Sequence, residues 1–482
     1  MGALGFALTL AFLFISYSRV FDLKFTYLHI PGLVYRAMAA ILILTGFFRY
    51  AFQSTIGKCL AGFTVCFVAS IPFSVWRGGS LRVFFIWLQA FTISIAIAGF
   101  ISSVSQARKA IYTVAFGILI LALISVFFGS TETGRLTLPQ GKFENPNDLA
   151  QAMLIGFPFW ALIALNARSA IARLFALGSC ALVFVTINRT GSRGALLAML
   201  ALLLLVFFRA SAANKVKVAL VSILAAAVTI AVLPGSVRAR YRTFFSEDSD
   251  AQENQGIEER AVASTMGRKA MLNRSLELTA RHPLFGVGPG MFEVAENSMA
   301  IAQGQRKGSW TETHNAYTQV SSEVGIPAFL FYISALISAL RATSKLHRRA
   351  RKIPELRQIS NFALYLNFSI VSFAVTSLFS AVAYNSLFPV LAGLTMALVR
   401  ISEPVLAQVE EPRAPAPVPQ VASWVPQRRF PNRNGSSALV PCPPQKTPDS
   451  QGGPGLTRAV QLFPEGPCQA GTGLAKRRSA EA

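Results

Sequence analysis

Charge is what this chain has least of. Only 14% of its residues are charged, against 53% hydrophobic, whereas a soluble domain carries about 25% charged residues. That deficit excludes an ordinary water-soluble globule. Histidine is scarce, at 4 in 482 residues, and cysteine little commoner, at 5. Cys59, Cys66 and Cys180 fall in apolar runs, and Cys442 and Cys468 in a polar tail. No Cys-x-x-Cys pair or Cys/His cluster occurs, so neither a redox dithiol nor a cysteine-based metal site is expected. Met1 to Ser18 has no basic n-region and no small-residue cleavage site, so it is expected to remain as a first span. No repeat of about 20–50 residues is found.

What is present in quantity is long apolar sequence. Twelve runs approach the roughly 20 residues with which a helix crosses about 30 Å of hydrocarbon. The first six are 2–18, 32–48, 56–75, 81–101, 110–129 and 148–165. The other six are 170–188, 194–208, 215–233, 316–340, 359–379 and 382–400. The fold expected is therefore all-α, a polytopic membrane protein with about 12 transmembrane helices. A large external loop, 234–315, separates the ninth span from the tenth.

The net charge of +23 would suit a nucleic-acid binder. The Lys and Arg residues, however, lie between apolar runs, where they orient helices. The lipid bilayer is the expected partner, and nucleic acid is not. One set of connections carries Arg49, Arg108, Lys109, Arg168, Arg209, Lys215 and Lys217, and the basic run 341–358. In loop 234–315 the signs balance, with 10 of each between Arg238 and Glu312. Both termini are thus expected on the cytoplasmic side, with the loop outside. Residues 1–400 form the membrane domain. Residues 401–482 hold 14 of the 25 prolines, including Pro415, Pro417 and Pro419, and read as a disordered cytoplasmic tail.

Four polar stretches fall on the external side. In Phe143-Glu144-Asn145-Pro146-Asn147-Asp148, Asn147 or Asp148 is expected to cap the sixth span after a break at Pro146, and Asn145 and Asn147 also suit a sugar. Asn188-Arg189-Thr190-Gly191-Ser192-Arg193-Gly194 is a tight turn whose two arginines breach the positive-inside pattern. Their guanidinium groups suit phosphate oxygens. Met266 to Ala280 has the apolar spacing of an interfacial helix and includes Arg268. It leads through Arg281 to His282-Pro283-Leu284-Phe285-Gly286-Val287-Gly288-Pro289-Gly290. These glycines do not open a helix after a strand, which excludes a dinucleotide loop. They let the loop fold back close to the bilayer. Thr313-His314-Asn315-Ala316-Tyr317 enters the tenth span, and a neutral imidazole there accepts a proton from a hydroxyl. Neighbouring arginines would keep it neutral. Asp248-Ser249-Asp250 has the spacing of a cation site but lies in a solvated acidic run. Asp22 lacks the partner acid that a carboxylate mechanism needs.

Taken in order, these stretches resemble the O-antigen ligase and O-antigen polymerase superfamily. The matching pattern is Asn-Pro-Asn, Ser-Arg-Gly before an apolar run, His-Pro-Leu-x-Gly-x-Gly, and His-Asn-x-Tyr. The resemblance implies a GT-C-type fold and transfer of a glycan from an undecaprenyl-diphosphate carrier to an acceptor hydroxyl. The acceptor is lipid A-core, a growing polysaccharide or a protein, and no metal or other cofactor is implied. It places the enzyme in the bacterial inner membrane with its active site periplasmic. The family's catalytic residues fall on Arg193, Arg268 and His314. Arg189, Arg281, Asn145, Asn147, Asn315 and Tyr317 are the expected substrate contacts. Protein O-oligosaccharyl transfer is the alternative within this chemistry. A secondary transporter or flippase is the alternative outside it, but inverted repeats and midplane ionisable residues are not evident.

Overall fold

The computed structural model describes residues 1–23, 29–131, 134–139, 141, 143–233, 235, 237–238 and 255–410. Asp248-Ser249-Asp250, the prolines at 415, 417 and 419, Cys442 and Cys468 lie outside the described residues, as does the side chain of Asp22. The described residues belong to one compact unit, Met1–Arg413.

That unit is all-α. Its helices are α1 Gly2–Ser18, α2 Val20–Leu23, α3 Ile30–Thr45, α4 Arg49–Phe52, α5 Thr55–Ser70 and α6 Arg77–Phe100. Then follow α7 Val104–Phe128, α8 Pro146–Asn166, α9 Ala170–Arg189, α10 Arg193–Arg209 and α11 Ala212–Val232. The long loop that follows α11 holds α12 Gln255–Arg281 and α13 Phe292–Ala302. The chain returns through α14 Ala316–Glu323, α15 Ile326–Ala350, α16 Arg357–Thr376 and α17 Leu387–Glu410. Among the described residues, eight helices are long and apolar enough to cross a membrane, and α1 and α3 are shorter apolar ones. Each of the twelve apolar runs overlaps one of these helices, α10 or α11.

Helix starts follow the local sequence. Ser54, Ser103, Ser169 and Ser192 each accept the N–H of the residue three positions on, at 3.0–3.3 Å, which satisfies a first-turn donor. Asn145 caps α8 by accepting the Asn147 N–H at 2.9 Å, with Pro146 at the first helical position. The bundle closes on an aromatic core. Phe63 meets Trp87 edge-on at 4.7 Å and Phe67 meets Tyr384 at 5.0 Å. The Trp87 indole N–H donates to Thr64 Oγ1 at 3.0 Å, so that buried donor is satisfied. A Cβ on Gly156 would lie 2.4 Å from Ile118, and one on Gly393 2.7 Å from the Ser94 carbonyl. Small residues let these helices approach closely, as membrane packing favours.

One expectation needs correction. The tenth span does not run from 316. The chain breaks at Val324–Gly325, leaving α14 as a separate short helix outside the membrane-spanning Ile326–Ala350. Gly325 has φ 96° and packs so closely on Leu284 that a Cβ would lie 2.3 Å from its carbonyl oxygen. Only glycine takes that conformation without strain.

Candidate active site

The four polar stretches converge at one end of the bundle. Arg135, in the connection between α7 and α8, joins the first two. Its Nε donates to the Thr190 carbonyl at 2.8 Å and its Nη2 to Asn147 Oδ1 at 3.0 Å. Beside it, the Leu136 N–H donates to the Arg189 carbonyl at 3.0 Å. The turn after α9 is thereby fixed. Gly191 is left-handed at φ 59°, Ser192 starts α10, and Arg193 follows, half-buried. A Cβ on Gly194 would lie 2.8 Å from Phe379, so this turn seats directly on the segment between α16 and α17.

The entrance to α14 seats on the same segment. The Ala316 N–H donates to the Ser377 carbonyl at 2.8 Å, and Gln151 of α8 reaches Ser377 Oγ at 3.2 Å. Gln319 Oε1 accepts the Ala383 N–H at 3.1 Å. Residues 377–383 are thus the common seat of the Asn-Pro-Asn helix, the Arg193 turn and the His314 segment.

His314 is held from both sides. It has φ 52°, a left-handed backbone that costs a residue with a side chain about 1–3 kcal/mol unless its surroundings fix it. Downstream, Asn315 caps α14 through the N–H groups of Tyr317 and Thr318, at 2.9 and 3.2 Å. Upstream, Glu296 accepts the Ser309 N–H and Asn297 the Gly308 N–H, each at 2.9 Å, pinning the incoming chain to α13. Burial holds the imidazole below its usual pKa, and the charge of Arg268 on α12 lowers it further. Arg268 thus lies close enough for its charge to act on His314, and both effects favour the neutral imidazole.

The glycine-rich run is a clamp. Val287 and Gly288 donate to the Ser322 and Glu323 carbonyls, each at 2.9 Å. Val287 accepts the Val75 N–H at 3.0 Å, and Pro289 accepts the Ser80 hydroxyl at 3.0 Å. The Glu323 carboxyl takes the Gly290 N–H at 2.8 Å and the Phe292 N–H at 3.3 Å. Burial raises its pKa to about 7, and the nearby Glu312 charge adds to the rise. The glycines thus bring the loop back against the end of the bundle.

The expected substrate contacts fare differently. Arg189 ends α9, half-buried beside the Arg193 turn. Arg281 is exposed at the end of α12 and ion-paired to Glu277 at 2.5 Å. The side-chain oxygens of Asn145 and Asn315 are taken up in capping, and the Asn147 oxygen by Arg135. The Tyr317 hydroxyl is committed to the Ala374 carbonyl at 2.7 Å. Two residues were missed in the sequence. Arg135 carried no signal beyond being a further arginine in an external connection. Glu312, two residues before His314, has its pKa raised to about 7 by the protein around its carboxyl, then by the Asp148 and Glu293 carboxylates.

Residues 178–333 match the family model of the O-antigen ligase domain. The match runs from α9 through the external loop into α15, and so includes Arg193, Arg268 and His314. No curated protein matches the chain. The chain is thus a polytopic membrane protein whose residues 178–333 are similar to the O-antigen ligase domain.

Proposed function

We propose that the protein transfers a glycan from an undecaprenyl-diphosphate carrier to an acceptor hydroxyl at the periplasmic face of the bacterial inner membrane. The family match supports a membrane glycan transferase of the O-antigen ligase type. The observation that carries the finer reading is that the His314 segment and the Arg193 turn share one seat, with the charge of Arg268 acting on the His314 imidazole.

In this reading the acceptor oxygen attacks the anomeric carbon as the bond from that carbon to the diphosphate breaks, with inversion. His314 takes the hydroxyl proton, and Arg193 and Arg268 meet the charge that develops on the departing lipid diphosphate. Arginine suits this work because its guanidinium binds phosphate oxygens in pairs and stays charged. Arg135 acts at one remove, holding the turn that presents Arg193.

The test is to incubate purified protein with lipid-diphosphate glycan and acceptor, and to measure released lipid diphosphate together with glycosylated acceptor. His314→Ala is expected to lose about 10²–10⁴-fold in transfer, the usual contribution of a positioned base, while still inserting normally. Wild-type transfer by that variant removes His314 from the mechanism. Loss on Glu312→Gln without loss on His314→Ala would assign the base to Glu312. Vesicle flux of the glycan with no transfer product would favour a transporter.

A further inference from the structure

The end of the bundle opposite His314 holds a cavity that glycan transfer does not use. Helix α15 begins at Ile326, close to the Glu323 clamp, and reaches Arg341 after about 22 Å of helix. There a cavity of about 500 Å³ is lined by Tyr50, Gln53, Thr55, Arg341 and Arg400, among others. Arg400 lies over the Tyr50 ring at 4.2 Å and donates from Nη2 to the carbonyls of Gly99, at 3.3 Å, and Ile101, at 2.6 Å. Its guanidinium is thus fixed in the cavity wall. Arg341 is exposed, and no carboxylate among the described residues forms an ion pair with either arginine. Glu403, one turn beyond Arg400 on α17, is taken by Arg349 at 2.9 Å.

A second cavity, of about 680 Å³, shares Tyr50 and Gln53 with the first and is lined largely by Ile43, Leu44, Phe47 and Phe48, with Thr45 and Arg49 also in its wall. Cations with no acid between them are costly beside lipid, and an anion relieves that cost. A guanidinium pair suits a phosphate diester, and the adjoining trough is mostly apolar. A free anion would use the arginines and leave the trough without a role. A lipid with a phosphate headgroup uses both.

We propose that the paired cavity binds an anionic glycerophospholipid, its phosphate between Arg341 and Arg400 and an acyl chain along Ile43–Phe48. This inference does not depend on the transferase reading. The test uses the full-length protein purified in a neutral detergent and native mass spectrometry with phosphatidylglycerol, diacylglycerol and inorganic phosphate as probes. Phosphatidylglycerol is expected to be retained in preference to diacylglycerol. Arg341→Gln is expected to weaken its retention about tenfold or more, the loss of one charge-assisted contact. Arg341 sits at the exposed rim, so this variant leaves the buried packing of Arg400 intact. Leu44→Ser, in the trough, is expected to weaken retention independently. Equal retention of diacylglycerol, or unchanged phosphatidylglycerol binding in both variants, overturns the proposal. Inorganic phosphate held as well as phosphatidylglycerol overturns the lipid assignment and leaves an anion site.

Discussion

Replacing Glu323 by Ala tests whether one buried carboxyl holds the external loop to the bundle. Glu323 is 3% exposed, and its two oxygens take the N–H groups of Gly290 and Phe292 at 2.8 and 3.3 Å. Alanine leaves both donors buried without acceptors. Each such orphan costs about 1–3 kcal/mol, so the closed loop loses about 2–6 kcal/mol. At about 1.4 kcal/mol per tenfold, hydrogen exchange across residues 286–292 should accelerate at least about 30-fold, read by mass spectrometry in detergent. Acceleration below about fivefold, with the protein otherwise folded, would refute the clamp. The pH dependence gives an independent sign. The folded pKa, raised to about 7, lies above the ordinary 4.5. The contribution of Glu323 is therefore whole below pH about 4.5 and lost as pH rises towards about 7. Loop protection should fall across that window in the wild type. Glu323→Gln, which cannot ionise, should flatten its share of that fall.

Two further outcomes concern the reacting end. Arg268 lowers the His314 pKa, so Arg268→Gln should raise it and move the acid limb of the pH–rate profile to higher pH. An acid limb that stays or moves down would separate the two residues. Arg135→Gln should weaken the bond to Asn147 and the bond to the Thr190 carbonyl, and with them the setting of the Arg193 turn. A charged hydrogen bond is worth about 1.5–3 kcal/mol, so transfer should fall at least about tenfold at unchanged protein level. Wild-type transfer would show that the turn holds without it.

The helical layout was legible because its causes are local. Apolar runs, serine caps and Pro146 lie in the sequence within a turn of the structures they produce. The caps themselves were placed less well: Asn145 caps α8 where Asn147 or Asp148 was expected to, and Asn315, expected as a substrate contact, caps α14. The break at Gly325 was only half legible: Gly325 and Pro327, in the first turn of α15, signal it, but Leu284, packed against Gly325 from 41 positions upstream, has no local mark. Glu312 was invisible for a related reason. A carboxyl beside two others after folding has no mark in the chain, since Asp148 and Glu293 reach it from different helices. Arg135 lies in a connection with no periodicity, and its two acceptors belong to different stretches. Charge balance set loop 234–315 apart from the spans but gave no sign that its latter part is clamped to the bundle.

That clamp bears on how the site is built. A catalytic histidine on a long polar loop would ordinarily lose precision, since loops open more readily than the elements they join. Here the His314 segment borrows rigidity from both sides. Glu296 and Asn297 fix the chain that leads in, Ser377 fixes the first residue of α14, and Glu323 fixes the glycine run behind it. The left-handed backbone at His314 is sustainable only under that many constraints, so the setting of His314 near Arg268 depends on an intact clamp at Glu323. In the proposed mechanism the latter part of loop 234–315 is therefore a wall of the site rather than a domain resting on the bundle. Its glycines let a polar backbone pack within hydrogen-bonding distance of α14 and of the connection between α5 and α6.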